Sequence, residues 1–432
     1  MTPAWMRRLA ALWLLCTACL CWAEDIVITG TVLDDRTQQG IALAHVTHAD
    51  TVRRADDEGR FSVTIPDGTP LPYVVSLRAP GYQRQRISLS TRPVHPLSIP
   101  LKAIQPKALY LSAYGIGSGQ LRGDALRLIE QTELNALVID VKGDAGVTPY
   151  RSAVLQAAGI PQTMVTVADM PAMIRELRAR GLYLIARVVV FKDQRLATLN
   201  PDWAVRKTNG AAWVDGEGLS WIDPSNPQTW TLALAMAQEA AELGFDEIQF
   251  DYVRFPDATG LRFSQPNTAS MRTHAIAGFL DAARQRLAPY NVFVSADIFG
   301  YVCWNTNDTS IGQQLEMLSD RIDYLSPMLY PSGFTWGIPG YPRATESAFE
   351  IVDLSLRHAL QRSGMDGVRF RPWLQAFRDY AFDHRVFGAD EIRTQINAAE
   401  KNSSNGWMLW NARNRYGPEG LKPRHAAPPA KP

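Results

Sequence analysis

The pattern of apolar and polar positions divides the chain into an all-β part and a part in which strands and helices alternate. Residues 26–33 alternate with the period of two that is typical of a half-buried strand, and further short strands with turn residues between them follow up to residue 89. This spacing predicts a β-sandwich over residues 24–101. Prolines then predict a stiff linker, which we place at residues 102–106.

From residue 107 onwards, runs with helical spacing separate eight predicted strands. The predicted strands are residues 108–114, 136–142, 183–191, 246–255, 292–299, 324–330, 370–377 and 406–410. Eight such units over residues 107–417 match the strand count and length of an α/β protein with a (β/α)8, or TIM, barrel. A doubly wound sheet is the alternative, but Gly115-Ile-Gly-Ser-Gly is a poor match to its glycine fingerprint. Residues 418–432 are expected to form a flexible tail.

Composition and the first residues indicate where the protein acts. A formal net charge of +1 gives no reason to expect a nucleic-acid partner. Arg7 and Arg8 precede a short apolar run at residues 9–20, so residues 1–23 are predicted to be a signal peptide, with an uncleaved anchor as the alternative. We therefore expect a secreted or periplasmic protein with no membrane span after signal removal. The sequence leaves its oligomeric state open.

The positions of the cysteines predict a core without a disulfide bond. Cys16, Cys19 and Cys21 lie in the predicted signal peptide, so Cys303 is the one thiol expected in the mature chain. No internal disulfide is then possible, and a reductant should not change the melting temperature. No histidine is near Cys303 in the sequence, which favours a buried apolar role over a nucleophilic one.

Candidate chemistry begins at Asp251, which lies near the end of the predicted fourth strand on the opposite side from its apolar neighbours. Such a carboxylate is costly unless it faces a polar cavity, and in a TIM barrel the C-terminal ends of the strands form the active-site mouth. The same side of the other strands also carries polar or aromatic residues near their ends. The predicted ring consists of Asp140, Lys142, Arg187, Gln249, Asp251, Ser295, Asp297, Met328, Tyr330, Trp373, Gln375 and Trp410.

Several kinds of chemistry have no support in the sequence. No histidine lies on a predicted barrel strand, and no glycine-rich phosphate loop or Gly-x-Ser-x-Gly elbow is present, so we expect no metal and no cofactor. Carboxylates with arginine and aromatic neighbours remain, and these are the residues that glycoside hydrolysis uses. Five tryptophans in the predicted loops are candidate platforms for a carbohydrate substrate: Trp203, Trp213, Trp221, Trp304 and Trp336.

Two family resemblances follow from motifs that occur in order. Residues 107–417 resemble a glycoside hydrolase family first catalogued as a bacterial domain of unknown function. The motifs are Phe245-Asp-Glu-Ile-Gln-Phe-Asp-Tyr-Val-Arg-Phe-Pro and residues 135–144, 186–193, 221–227, 295–300, 326–331 and 407–412. The resemblance implies a barrel related to alpha-amylase-like and alpha-galactosidase-like enzymes. Residues 24–101 resemble the carboxypeptidase regulatory-like, transthyretin-like domain through Gly30-x-Val-x-Asp, Asp57-x-Gly-x-Phe and Gly81-Tyr82, which implies a scaffold or docking module.

Residue roles follow from the first resemblance as hypotheses. Asp251 matches the fourth-strand aspartate that acts as nucleophile in the related barrels, and Asp297 on the next strand is the predicted acid/base, where the alpha-amylase pattern has Glu. Asp140 is the alternative acid. Arg187 and Lys142 are expected to keep the nucleophile ionised. The predicted sugar contacts are Gln249, Tyr330, Trp373, Gln375, Trp410 and Asn411.

Alternatives to these roles stay open at this stage. Arg254 lies on the other side of the predicted strand and is expected to pair outside the pocket. Asp140 and Asp297 could instead form structural salt bridges with Lys142 or Arg187. At the level of function, the alternatives are a non-catalytic polysaccharide-binding protein and a cell-envelope scaffold. If Asp251 and Asp297 end neighbouring strands, their short side chains favour the close carboxyl spacing of a retaining glycosidase.

Overall fold

The computed structural model describes residues 25–424. The predicted signal peptide and the last part of the predicted tail, residues 425–432, lie outside this range. Within residues 25–424, no helix is both long enough and apolar enough to cross a membrane.

The first part of the described chain is an all-β region built from two sheets. One sheet has the strand order β4-β1-β7 and the other has the order β3-β2-β5-β6. Their facing apolar side chains, among them Val32, Val46, Phe61 and Leu77, form a single core. The strands are β1 (Ile26–Asp34), β2 (His45–His48), β3 (Thr51–Arg54), β4 (Arg60–Ile65), β5 (Tyr73–Arg78), β6 (Gln85–Leu89) and β7 (Leu97–Leu101).

Eight parallel strands of the second part close into a barrel, which confirms the predicted fold class. The order around the barrel is β10-β12-β14-β15-β16-β17-β8-β9, and a short two-stranded ribbon pairs β11 with β13 outside it. The strands are β8 (Lys107–Leu111), β9 (Ala136–Lys142), β10 (Tyr183–Val189), β11 (Arg206–Lys207), β12 (Glu247–Asp251), β13 (Leu261–Arg262), β14 (Phe293–Phe299), β15 (Tyr324–Met328), β16 (Trp373–Gln375) and β17 (Trp407–Trp410).

Helices cover the outside of the barrel because each turns an apolar face towards the strands. A large core of aliphatic and aromatic side chains fills the space between the two layers. α6 ends at Gly244, whose φ of 102° is a left-handed conformation that glycine adopts without strain. The helices are α1 (Ala113–Gly117), α2 (Gly119–Gln131), α3 (Ala153–Ala157), α4 (Met170–Ala179), α5 (Gln194–Leu199), α6 (Trp230–Leu243), α7 (Ala269–Leu287), α8 (Leu315–Ser319), α9 (Ala348–Ser363) and α10 (Ala389–Lys401).

The all-β region packs against the N-terminal ends of the barrel strands. Arg84 donates to the carboxylate of Asp246 at 3.1 Å and to the carbonyl of Phe245 at 2.7 Å, immediately before β12. The backbone N–H of Gly81 donates to the hydroxyl of Tyr324, the first residue of β15, at 3.0 Å. The β-region therefore covers one end of the barrel and leaves the C-terminal ends of the strands free for a site.

Several predicted barrel strands end earlier in the structure, and the predicted linker and tail are bound to other parts of the protein. The first barrel strand stops at Leu111, because the Ser112 side chain accepts from the Gly115 N–H and starts α1. The fourth strand stops at Asp251, because Tyr252 has a φ of 50°. The predicted linker is fixed to the β-region, since the Ile104 N–H donates to the Gly81 carbonyl at 2.8 Å. Residue Lys422 of the predicted tail accepts from the Glu133 N–H at 2.9 Å.

Candidate active site

The C-terminal ends of the barrel strands surround a cavity of about 240 Å³. A larger groove of about 640 Å³ lies on the outside of the barrel against α3, α5 and α6, but no ionisable side chain lines it. The smaller cavity is therefore the candidate for chemistry. Its lining residues are Arg187, Asp251, Tyr252, Arg254, Phe299, Gly300, Met328, Tyr330, Gly333, Phe334, Trp373, Tyr380 and Trp410.

Asp251 is the one carboxylate in this lining, and two N–H donors and an ion pair hold it. Arg187 Nε donates to Asp251 Oδ2 at 2.8 Å, with Nη2 at an ion-pair distance of 2.7 Å from the same oxygen, and the Tyr252 backbone N–H donates to Oδ1 at 2.6 Å. Arg187 sits opposite Gln249 in the pairing of β10 with β12, so its long side chain reaches two residues further to Asp251. Charge-assisted bonds of this kind fix both the position and the orientation of a carboxylate.

Asp140 forms a structural ion pair behind the cavity. It accepts from Arg187 Nη1 at 2.7 Å and from the Tyr110 hydroxyl at 2.7 Å. Burial raises the pKa of Asp140, whereas the Arg187 guanidinium acts in the opposite direction. Asp144, which the sequence analysis did not single out, also accepts from Arg187, at 3.2 Å. Arg187 therefore gathers three carboxylates, of which Asp251 alone lines the cavity.

Asp297 occupies the same level of the barrel as Asp251, on the neighbouring strand. Phe250 and Ala296 are paired residues of β12 and β14, so Asp251 and Asp297 each come one residue later. Trp373 Nε1 donates to Asp297 Oδ1 at 2.8 Å, and Oδ2 has no hydrogen-bond partner among residues 25–424. Burial and the charge of Asp251 raise the pKa of Asp297 well above its usual range. Asp297 is 1% exposed and lies behind the lining rather than in it.

Aromatic side chains form much of the remaining wall. Trp410 stacks on Tyr110 with ring centroids 4.0 Å apart and meets Trp373 edge to face at 5.4 Å. The Tyr330 ring packs edge to face against Phe377 at 5.5 Å. Burial raises the pKa of Tyr330 well above its ordinary value, and the charge of Asp297 acts in the same direction. Apolar ring faces next to a carboxylate suit the apolar faces of sugar rings.

Besides Asp140 and Asp297, four predicted substrate-binding residues lie outside the cavity lining, because other parts of the protein bind them. Lys142 pairs with Asp193 at 2.9 Å and not with Asp251. Gln249 lies deeper in the barrel and donates to the Ser326 hydroxyl at 3.1 Å. Gln375 accepts from the Ser332 N–H at 3.0 Å. Asn411 donates to the Ala376 carbonyl at 2.8 Å.

Tyr252 and Arg254 line the cavity although the sequence analysis left them out of the site. Strict alternation along a strand would place Arg254 on the side away from the pocket. The left-handed conformation of Tyr252, with a φ of 50°, ends the strand, so strict alternation no longer applies beyond Asp251. Non-glycine residues in this conformation carry local strain and cluster at functional sites.

Of the five loop tryptophans, none is part of the cavity lining. Trp221 is 2% exposed and lies beneath Arg254. Trp304 stacks on His358 at 4.7 Å and donates to the Ser355 hydroxyl at 2.8 Å. Trp336 is 82% exposed and packs near Tyr301 at 5.8 Å, so its ring is free at the protein surface.

The fold and the site together define a class: TIM-barrel proteins with a carboxylate–arginine centre and an aromatic-lined cavity at the C-terminal end of the barrel. The family model described as "Putative glycosyl hydrolase domain" matches residues 108–416. The chain belongs to this family. The match covers nearly the whole barrel and begins after the all-β region. No curated protein matches the chain significantly.

Two solved structures are similar to parts of this chain. A hypothetical protein from Ruminiclostridium thermocellum is 34% identical, covering 44% of this chain and 96% of that chain, with a TM-score of 0.39. The glycoside hydrolase domain of PgaB (BpsB) from Bordetella bronchiseptica is 14% identical, covering 72% of this chain and 94% of that chain, with a TM-score of 0.52. The similarity to the Bordetella domain shows a shared fold, and at this identity nothing beyond the fold.

Proposed function

We propose that this protein is a glycoside hydrolase that cleaves an oligo- or polysaccharide with Asp251 as nucleophile and Asp297 as acid/base. One observation carries the proposal. Asp251 lines the cavity with two N–H donors and the Arg187 ion pair on its carboxylate, while burial and Asp251 itself raise the pKa of Asp297 on the adjacent strand. Glycoside hydrolysis needs two carboxyl groups whose surroundings give them different protonation states.

The nucleophilic role follows from what holds Asp251. Arg187 and the Tyr252 N–H anchor both carboxylate oxygens, so little orientational freedom remains to be lost when a sugar carbon approaches. In a retaining mechanism, an Asp251 oxygen bonds to the anomeric carbon as the glycosidic C–O bond breaks. Water then releases the sugar and restores the carboxylate.

The acid role follows from the raised pKa of Asp297. A carboxyl group with a raised pKa keeps its proton to a higher pH than an ordinary aspartate and can give it to the leaving oxygen. Asp297 lies behind Trp373. The Asp297 carboxyl group therefore reaches the substrate only when the Trp373 side chain rotates or a water molecule bridges the two. Proton-transfer distances in unliganded enzymes commonly shorten when the substrate binds.

A polysaccharide panel tests the proposal directly. Purified protein is incubated with neutral and acidic polysaccharides, and new reducing ends are measured. Asp251→Asn should lower the rate at least about 1000-fold, because the variant lacks the nucleophile. Asp257→Asn is the matched control, since Asp257 lies on the same loop but is exposed and outside the cavity lining. Equal rates for the wild type and Asp251→Asn would refute the assignment of Asp251.

A non-catalytic polysaccharide-binding protein is the second candidate function. Asp297 is sealed behind the cavity wall, and the Arg187 ion pairs occupy one oxygen of Asp251. Both features are compatible with a site that binds a sugar without cleaving it. In the panel experiment, such a protein would bind a polysaccharide and release no reducing ends.

We also propose that the protein is exported and that residues 24–101 act as a docking module. The motifs of the carboxypeptidase regulatory-like domain support this assignment, and so does the sandwich formed by the two β-sheets. The first-residue pattern supports removal of residues 1–23. N-terminal sequencing of protein from the periplasm or the medium should begin near residue 24, and protein retained whole in the cytoplasm would contradict export.

A further inference from the structure

Arg254 is the cation of the cavity that lacks a carboxylate partner. No carboxylate of residues 25–424 lies within ion-pair distance of its guanidinium, and its one hydrogen-bond acceptor in that range is the Phe255 carbonyl at 3.0 Å. Arginine offers five N–H donors in a rigid planar group and stays charged at every physiological pH. Most of the donors of Arg254 are therefore available to a ligand.

Two neighbouring cations, Arg187 and Lys192, differ from Arg254 because carboxylates contact them. Arg187 is neutralised by Asp140, Asp144 and Asp251. Lys192 is neutralised by Asp215 at 3.1 Å and Glu217 at 2.8 Å. The protein thus places carboxylates in direct contact with these two buried cations, whereas Asp251, Asp257 and Asp215 act on Arg254 from beyond ion-pair distance.

Two aromatic rings hold Arg254 in place without using its N–H groups. The guanidinium carbon lies 4.9 Å from the centroid of the Trp221 ring and 5.3 Å from that of the Tyr252 ring. Trp221 is itself fixed, because its Nε1 donates to Asp215 at 3.0 Å. Contacts with ring faces orient a planar guanidinium and leave its edge free. The side chain is therefore positioned before any ligand arrives.

Partial burial makes an arginine without a contacting carboxylate costly. Arg254 is half-buried, and desolvation lowers its pKa, while the more distant charges of Asp251, Asp257 and Asp215 act in the opposite direction. A desolvated cation without a counter-anion in contact is destabilising, and an anionic ligand that accepts hydrogen bonds from the guanidinium would offset that cost.

From these contacts we infer that Arg254 is a specificity-determining residue that binds an oxyanion carried by the substrate. The substrate class is then an acidic glycan, with either a uronate carboxylate or a sulfate ester as the acidic group. Both groups accept two parallel N–H bonds from a guanidinium. Arg254 and Asp251 line the same cavity of about 240 Å³, which places the acidic sugar at or next to the cleaved bond. This inference rests on the proposed function, because it takes the cavity to be the glycan site.

Binding of single sugars tests the inference without requiring the correct linkage. Glucuronate, galacturonate and glucose 6-sulfate are compared with glucose and galactose by ligand-observed NMR titration of the full chain. The wild type should bind at least one acidic sugar about 10- to 100-fold more tightly than the neutral sugars, as expected for a charged hydrogen-bonded contact. Tighter binding of the uronates would identify a carboxylate, and tighter binding of glucose 6-sulfate would identify a sulfate ester.

Three variants separate the role of Arg254 from a general loss of structure. Arg254→Gln should abolish the preference for acidic sugars, while Arg254→Lys, which keeps the charge, should retain part of it. Arg127→Gln is the control, because Arg127 is exposed on α2 and outside the cavity. A wild type that binds acidic and neutral sugars equally, or a preference that survives Arg254→Gln, would overturn the inference.

The same titration distinguishes this inference from the proposed function. Asp251→Asn should keep the preference for acidic sugars, because Arg254 is intact in that variant. If the preference is present but the wild type cleaves no polysaccharide, hydrolysis is refuted and the anion site stands. If the wild type cleaves neutral polysaccharides and shows no preference for acidic sugars, hydrolysis stands and the anion site is refuted.

Discussion

Two arginines lie buried inside the same barrel, one near each end. Both form ion pairs with carboxylates, but Arg187 lines the cavity and Arg371 does not. Arg187 pairs with Asp140 at 2.7 Å and Asp251 at 2.7 Å near the open end, where both Arg187 and Asp251 line the cavity. Arg371 pairs with Glu247 at 2.5 Å near the opposite end and is fully buried. Arg187 pairs with carboxylates of the two adjacent strands, β9 and β12, and Arg371, just before β16, pairs with a carboxylate of β12.

The closed end is sealed by the β-region and by aromatic rings. The Tyr183 hydroxyl donates to Glu247 at 2.8 Å, and the guanidinium carbon of Arg371 lies 4.1 Å from the centroid of the Tyr324 ring. Tyr324 in turn accepts from the Gly81 N–H of the β-region. A buried ion pair alone therefore does not mark a catalytic site. In this barrel, the ion pair that reaches a cavity is the one suited to catalysis.

The largest effect we expect is on stability, at the closed end. Arg371→Met leaves Glu247 buried without its partner, and losing one member of a buried pair typically costs about 3–5 kcal/mol of unfolding free energy. Activity per folded molecule, on the substrate found in the panel, should stay within about threefold. Urea unfolding and active-site titration measure the two quantities. The double variant Arg371→Met/Glu247→Gln should recover part of the lost stability.

The comparison fails if Arg371→Met removes activity from protein that is still folded. That outcome would mean that the closed end contributes to catalysis, and that access does not separate the two centres.

The next effect concerns the open end, where we expect the main loss to be in activity rather than in stability. Arg187→Met removes the side-chain N–H donor and the ion pair that orient Asp251, so kcat/KM should fall about 100-fold or more. The melting temperature should also fall, because Asp140 is left buried without its cation, whereas Asp251 lines the cavity and water can solvate it. A loss of stability equal to that of Arg371→Met, with activity unchanged, would reverse the roles assigned to the two arginines.

A smaller effect is expected where the β-region packs against the closed end of the barrel. His45 of the β-region lies 3.6 Å from Asp323, next to Arg78, with Arg54 and Arg284 also nearby. Burial and the Arg78 charge lower the pKa of His45 to about 4, while Asp323 acts in the opposite direction. An unfolded histidine takes up a proton near pH 6.5. Stability from the neutral form is thus present above pH 6.5 and lost as the pH falls towards 4.

We expect this loss to be about 2 kcal/mol between pH 6.5 and pH 4. Urea unfolding of the wild type and of His45→Gln across this range measures it. The variant should lack the histidine contribution and show a flatter pH dependence. Identical pH profiles for the two proteins would show that His45 does not couple the seal to pH.

The smallest predicted effect is the pH dependence of catalysis. Because Asp297 must hold its proton to act as an acid, kcat/KM should fall about tenfold per pH unit above its raised pKa. Asp297→Asn should lower activity and remove this basic limb. A limb that persists in Asp297→Asn belongs to another group, and Asp297 would lose its assignment.

The sequence predicted the barrel and its central carboxylate because both depend on local periodicity. Strand β9 matches its predicted bounds, and Asp251 ends β12 at the open end of the barrel. Arg254 was misplaced, since alternation cannot anticipate the left-handed Tyr252. Lys142 pairs with Asp193, which is distant in sequence. Asn411 donates to the carbonyls of Ala376 and Arg415, which lie in loops. Strand parity alone does not reveal such partners.

Sequence order also could not distinguish the two ends of the barrel interior. Glu247 and Asp251 lie on one strand with the same parity, and both pair with a buried arginine. Their difference arises from where the β-region docks, which is a tertiary contact made by Arg84 and Gly81. Identifying the sealed end required the structure.

The stereochemistry of cleavage tests the central claim most directly, namely that Asp251 and Asp297 work as a close pair at the open end. They follow paired residues of neighbouring strands, and two short aspartate side chains suit the roughly 5 Å carboxyl spacing of a retaining glycosidase. Proton NMR of the first-formed sugar, recorded before mutarotation, measures the outcome. We predict that the released sugar keeps the anomeric configuration of the substrate. An inverted anomer at early times would contradict Asp251 as a covalent nucleophile with Asp297 as its acid/base.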